Sequence, residues 1–182
     1  MGMIAEVAIT RLDRPAFEAA IPQLALVLVD AVDGGASVGF VHPFGPADAE
    51  RWWHTVAGGV EHGSTLLWVA EDGAGVVGTV QLKLTMAYTN GRHRAEIAKL
   101  LVHRRARGRG IAKALLAQAE GAAAEHGVSI LMLDTQTDSD AEFLYAKAGW
   151  TRFGVMPDHA ADPAGVLQPT TFFYKRLQPA LT

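Results

Sequence analysis

The sequence predicts an α/β (α+β) domain built on a central mixed sheet, and three observations predict it. Some stretches carry apolar residues at helical spacing, while others alternate or run apolar for about five or six residues. The two kinds are interspersed along the chain rather than segregated. The length is 182 residues with 49% hydrophobic, enough for one domain with a real core and short for two. Residues 1–182 therefore read as a single domain.

The elements follow in order. Residues 7–10 read as a short strand and 15–30 as a helix, where Ile21, Leu24, Ala25 and Leu28 recur at helical spacing. Pro15 suits the first turn of that helix. "DGGASVGFVHPFGP" (33–46) breaks all periodicity and marks a long irregular loop, of the kind compact domains often use for function. A second helix is expected over 46–60. "TLLWVA" (65–70) reads as a buried strand and "EDGAG" as a tight turn. Over 76–84, Val80, Leu82 and Leu84 share one face, with Gln81 and Lys83 on the other. Asn90-Gly91 is a hairpin-type turn signal, so 94–102 returns antiparallel.

From Gly110 the spacing is helical again, with Ile111, Leu115, Ala119 and Ala122 near one face and a stop at His126-Gly127. "SILMLD" (129–134) is a buried strand and "SDAEFLYAKAG" (139–149) a short helix. "WTRFGVM" (150–156) and "TTFFYKRL" (170–177) are two further strands.

Composition excludes several classes of function. There is no cysteine, hence no disulfide framework, thiolate metal site or cysteine nucleophile. His42, His54, His62 and His93 show no regular ligand spacing, so no metal is expected. The formal net charge is -3, so the basic run at 103–113 is a local feature, which weighs against a general nucleic-acid binder. In "MGMIAEVAITRLDRPAF", Glu6 interrupts the apolar stretch and no basic n-region precedes it, so the segment does not read as a signal peptide. Apolar runs such as "LALVLV" are too short for a membrane span. A cytoplasmic protein is expected.

The basic run, "HRRARGRGIAK", lies between a strand ending at 102 and a helix beginning at 110. A helix N-terminus offers free amides and a partial positive charge to an anion. Gly108 and Gly110, lacking a β-carbon, let the backbone approach a phosphate. The dinucleotide fingerprint fails because Lys113 stands where a small third residue belongs, and the P-loop pattern is absent. A solvated charge run is the alternative reading.

The residues also carry a resemblance. "RARGRG", with Arg105, Gly108 and Gly110, resembles the Arg/Gln-x-x-Gly-x-Gly/Ala signature of the GNAT acetyltransferases. "DSDAEFLYAKAGW" resembles that family's Ala-x-x-Leu-Tyr-x-Lys-x-Gly-Phe pattern through Ala141, Leu144, Tyr145, Lys147 and Gly149, with Trp150 in place of Phe. The similarity covers roughly 66–176. "DGGASVGF", "LLWVAEDG", "RAEIAKLLVHRRARGRG" and "LMLDTQTDSDAEFLYAKAGWTRFG" look most like the tabtoxin-resistance type, which acetylates a β-lactam-containing amino-acid toxin.

The resemblance implies a GNAT fold, with a twisted, mostly antiparallel mixed sheet of about six to seven strands flanked by about four helices. It implies acetyl-CoA as cofactor, its pantetheine pairing with the backbone of Leu100, Leu101 and Val102. The pyrophosphate would sit on the amides of Arg107, Gly108, Arg109, Gly110, Ile111 and Ala112, behind the signature Arg105. Asp138 occupies a place often held by an Asn that touches the pantetheine arm, so that contact is a departure.

Glu96 and Asp134 are the expected bases for freeing the acceptor amine of its proton, the alternative being ion pairs with Arg92, Arg94 or Lys99. Tyr145 is the expected acid toward the leaving thiolate, the alternative being a tyrosine packed on the sheet. Gly35, Ser37 and Phe40 are expected to close over substrate, or else to form an ordinary turn. Trp52-Trp53 is expected to pack partly into the core and partly into a pocket wall or interface.

Together these readings predict an acetyl-CoA-dependent N-acetyltransferase acting on a small amine, such as an amino-acid-like or β-lactam toxin or antibiotic. The alternatives are a protein or peptide acceptor, and a non-catalytic acyl-CoA sensor. No nucleic-acid or membrane partner is expected; the paired tryptophans and C-terminal strands are compatible with a homodimer.

Overall fold

Asp13 accepts the Ala16 N–H at 2.9 Å and so caps α1 (Arg14–Asp33), with Pro15 in its first turn. In the computed structural model, which describes residues 7–177, α1 follows β1 (Ala8–Leu12) and precedes α2 (Pro46–Glu61). Then come β2 (Thr65–Asp72), β3 (Gly75–Leu84), β4 (Arg94–Val102) and α3 (Ile111–Glu125). β5 (Ile130–Gln136), α4 (Asp140–Lys147), β6 (Thr151–Ala161) and β7 (Leu167–Arg176) complete the chain. Glu6, on which the reading of the N-terminal segment rested, lies outside the described residues.

The seven strands form one mixed sheet in the order β1-β2-β3-β4-β5-β7-β6. Every neighbouring pair is antiparallel except β4 and β5, which α3 connects in parallel. Seven strands and four helices agree with the expected mixed, mostly antiparallel sheet.

Strand alternation divides the apolar residues between two faces. Trp68, Ala70, Val80 and Leu82 join Ile111, Leu115, Leu131, Tyr145 and Phe173 in a core under α3 and α4. Leu67 and Val69 join Phe17, Ile21, Leu24, Leu28 and Trp53 in a second core under α1 and α2. Gly78 allows α3 to lie close, because a β-carbon there would meet the Leu101 carbonyl at 3.0 Å and Leu115 Cδ1 at 3.1 Å.

Two outcomes differ from expectation. Helix α1 runs on through Asp33 and is, by length and composition, apolar enough to cross a membrane, although "LALVLV" alone is not. Its apolar face is nevertheless inside the second core. Strand β6 extends past Met156 through Pro157 to Ala161, which an edge strand tolerates because one side of its backbone has no partner to donate to.

Candidate active site

A bulge in β4 organises the site. Gln81 pairs with Ala98 and Thr79 with Leu101, so Lys99 and Leu100 together oppose Val80. Lys99 takes a left-handed backbone, φ 49°. The β4–β5 ladder holds only Arg94, Ala95 and Glu96 against Ile130, Leu131 and Met132, although β5 continues to Gln136. Beyond Glu96 the two strands part, and the β5-facing edge of β4 through Leu100, Leu101 and Val102 has no strand partner among the described residues.

The loop after β4 then leads into α3. Gly110 is its N-cap at φ 76°, with no side-chain cap, and the Ala114 N–H is the one that returns to the Gly110 carbonyl at 3.1 Å. The amides of Ile111 and Ala112 precede that first turn and point out of the helix end. Gly108 has the same φ of 76°, and the space where either glycine would carry a β-carbon is open. Ile111 itself is buried, which anchors the helix end against the sheet. An uncapped helix N-terminus with open glycines beside it fits a pyrophosphate group.

The arginines around this cradle are braced from outside it. Arg104 donates its amide at 2.9 Å and its guanidinium to Asp30, which is 8% exposed. Arg105 donates to both Asp72 carboxylate oxygens at 2.8 and 3.1 Å, and Arg109 lies 3.4 Å from the same carboxylate. The Ala74 amide and the Arg105 guanidinium hold the Asp72 carboxyl below its usual range. Arg107 donates Nε to the Val102 carbonyl at 3.2 Å. Asp30 and Asp72 were not visible as partners in the sequence, since they lie 74 and 33 residues from the arginines they bind.

Alternation also places the titratable candidates. Ala95, Ile97 and Leu133 belong to the α3/α4 core, so Glu96 and Asp134 project to the opposite face, the one α1 and α2 cover further along. Both carboxylates are exposed. The ion pair of Glu96 is with Lys83 on the neighbouring strand at 3.9 Å. Tyr145 comes from the other face: it is 6% exposed and packs against Trp150 and Phe173, each ring 6.0 Å away. Burial first, and then the charge of Asp134, push its phenol pKa upward. Tyr145 and Asp134 are thus near enough to interact electrostatically although they start on opposite faces, and the parting of β4 and β5 lies between those faces. Asp138, exposed and at φ 61°, donates its amide to Glu142 beside the Ser139 cap of α4.

The α1–α2 loop crosses this end of the sheet. Ser37 Oγ donates to the Ala161 carbonyl at 3.0 Å and the His42 N–H to the Pro163 carbonyl at 2.9 Å, tying the loop to the β6–β7 hairpin. Gly35 lies just past the end of α1 at φ 86°. Phe40 stacks on Phe44 at 4.3 Å and meets Trp52 edge-on at 5.5 Å. Trp53 is fully buried while Trp52 is half-buried. Lys99 Nζ lies 4.9 Å from the Trp52 ring centroid and 6.0 Å from that of Phe40. The sequence marked Ser37, Phe40 and Trp52, whereas Lys99 appeared in it only as a salt-bridge partner.

The model of the acetyltransferase (GNAT) family matches residues 17–150. The chain belongs to the GNAT acetyltransferase family. Similar solved structures include the ribosomal-protein-alanine N-acetyltransferase of Brucella melitensis, at 23% identity and TM-score 0.75, covering 93% of this chain and 99% of that one. A Salmonella typhimurium protein assigned as an acetyltransferase and solved with its cofactor acetyl-CoA is 17% identical, TM-score 0.76, with 98% of each chain covered. A third, assigned as a phosphinothricin N-acetyltransferase, is 20% identical, TM-score 0.75, covering 95% and 99%. At these identities the likeness shows the fold alone. The GNAT acetyltransferases use acetyl-CoA, and this chain is an acetyltransferase of that kind.

Proposed function

We propose that this acetyltransferase moves an acetyl group from acetyl-CoA to the nitrogen of a small-molecule amine in the cytoplasm. The observation that carries the reading is the loop tied across the end of the sheet by Ser37 and His42. The loop sets Phe40, and α2 sets Trp52, against Lys99 beside the exposed Glu96 and Asp134, and so narrows the open groove that a peptide acceptor would need.

When bound, acetyl-CoA supplies an activated thioester. Of the expected amides, those from Gly108 to Ala112 would hold its pyrophosphate, while the Arg107 N–H is turned to the Arg104 carbonyl at 3.4 Å. The free β4 edge at Leu100, Leu101 and Val102 would pair with its pantetheine arm. An alkyl amine is protonated at neutral pH, with a pKa of about 10.4, and an ammonium has no lone pair to attack with. Glu96 and Asp134 draw the cation in and take its proton, directly or through water. Tyr145 gives a proton to the departing sulfur. Its raised pKa keeps the phenol protonated at neutral pH, so that a proton is there to give.

Resemblance to the tabtoxin-resistance type and the neighbour assigned to phosphinothricin both support an amino-acid-like acceptor. The ribosomal-protein-alanine acetyltransferase favours the competing reading, a peptide N-terminus. Thiol release from acetyl-CoA, measured with amines, amino acids, β-lactam amino acids and peptides, separates them. Turnover on small amines alone is expected; turnover confined to peptides contradicts the proposal.

A further inference from the structure

We infer that Lys99 recognises an anionic group on the acceptor, so that the preferred acceptors are zwitterionic amines: α-amino acids and their close analogues. The inference rests on the reading of the face bearing Glu96 and Asp134 as the amine site, and adds to it the second half of the acceptor.

Lys99 stands out as the half-buried lysine without a carboxylate partner among the described residues, since Lys113 and Lys147, which also lack one, are exposed. Lys83 and Lys175 have carboxylate partners, Glu96 at 3.9 Å and Glu120 at 2.7 Å. Lys99 has none in contact among the described residues, although it is half-buried. Its ammonium instead rests on the faces of Trp52 and Phe40. A withdrawn cation without a contacting anion is costly unless something pairs with it, and aromatic rings supply only part of that stabilisation.

The backbone adds a second observation. The bulge holds Lys99 at φ 49°, a conformation glycine would adopt without strain, yet a long cationic side chain is placed there. Strained non-glycine residues gather at ligand sites. The bulge also turns this side chain toward the α1–α2 loop and α2, onto Phe40 and Trp52.

The neighbouring charges complete the pattern. Burial lowers the Lys99 pKa and Lys83 lowers it further, while Glu96 and Asp134 act in the opposite direction without touching it. Lys83 pairs with Glu96 at 3.9 Å, which leaves Asp134 and the Lys99 ammonium as the groups on this face without a contacting counter-charge among the described residues. That is the charge complement of a molecule carrying an ammonium and a carboxylate. An acceptor carboxylate on Lys99 Nζ makes a charge-assisted hydrogen bond and leaves the acceptor amine toward Glu96 and Asp134.

The test uses matched acceptors that differ only by a carboxylate: phenylalanine with phenethylamine, lysine with cadaverine, and methionine with 3-methylthiopropylamine. The kcat/KM of thiol release is measured for each pair with the full chain, wild type and Lys99→Gln. Comparing variant with wild type cancels the intrinsic basicity difference within a pair. Lys99→Gln is expected to cut the preference for the carboxylate member about tenfold or more, through acceptor KM, with acetyl-CoA KM unchanged. Lys99→Arg, which keeps the charge, is expected to retain most of the preference, and decides the matter if the glutamine variant folds poorly. Equal losses on both members of each pair would mean that Lys99 only braces the loop, and would overturn the inference. Turnover confined to peptides would instead remove the small-amine reading, and the inference with it.

Discussion

Tyr145 shows how far a residue type in a motif can be read. The Leu-Tyr-x-Lys-x-Gly spacing identified it, but its contact with Phe173 and the field of Asp134 come from two other elements, β7 and β5. Tyr145→Phe is expected to lower kcat about a hundredfold or more while acetyl-CoA KM and thermal stability stay near wild type. A raised phenol pKa means that the neutral form is favoured in the fold. Its contribution to stability is therefore complete below the unfolded value of about 10 and lost as pH rises beyond it. No basic limb in the rate profile below about pH 10 is expected to belong to Tyr145, and a pH–rate profile of wild type against the phenylalanine variant checks this. Glu96→Gln and Asp134→Asn should each lower kcat/KM for the acceptor by roughly tenfold to a hundredfold. Their rates should also climb with pH toward the amine's own pKa, as expected when the amine must lose its proton unaided. Lys99 was not legible as a pocket residue, because a strand pattern assigns sides by alternation and a bulge breaks that alternation.

At the scale of elements, helices and strands were readable wherever a period held for a full turn or several residues. The ends were not: α1 continues three residues past Asp30, and β6 passes through a proline that reads as a terminator. The parting of β4 and β5 was expected only through the resemblance, since nothing in "EIAKLLV" states where its parallel ladder ends. Gly108 and Gly110 were legible as positions of special backbone because the left-handed conformation they adopt disfavours other residues. Gly110→Ala meets no steric obstacle, yet it forces a left-handed alanine at a cost of about 1–2 kcal/mol. A lower melting temperature and a several-fold higher acetyl-CoA KM are expected, with acceptor KM little changed. Gly78→Val acts differently, pressing a side chain into the Leu101 carbonyl and Leu115. It should destabilise by about 1–3 kcal/mol in a denaturant titration.

Across the whole molecule, the fold class was legible because each element declared its period and the order left one sensible sheet. The tie between the α1–α2 loop and the β6–β7 hairpin was not, because it joins Ser37 to Ala161 across 124 residues. Ser37→Ala removes one of the two ties, and acceptor KM is expected to rise several-fold with acetyl-CoA KM unchanged; a change in acetyl-CoA KM alone would place the loop on the cofactor side. The most direct test of the central claim is transfer of isotope-labelled acetyl from acetyl-CoA to a small amino-acid acceptor, followed by mass spectrometry alongside thiol release. The account predicts label on the acceptor nitrogen in step with free thiol, both largely lost in Tyr145→Phe. Acetyl-CoA that binds without yielding thiol to any amine or peptide, in wild type and variant alike, would contradict it.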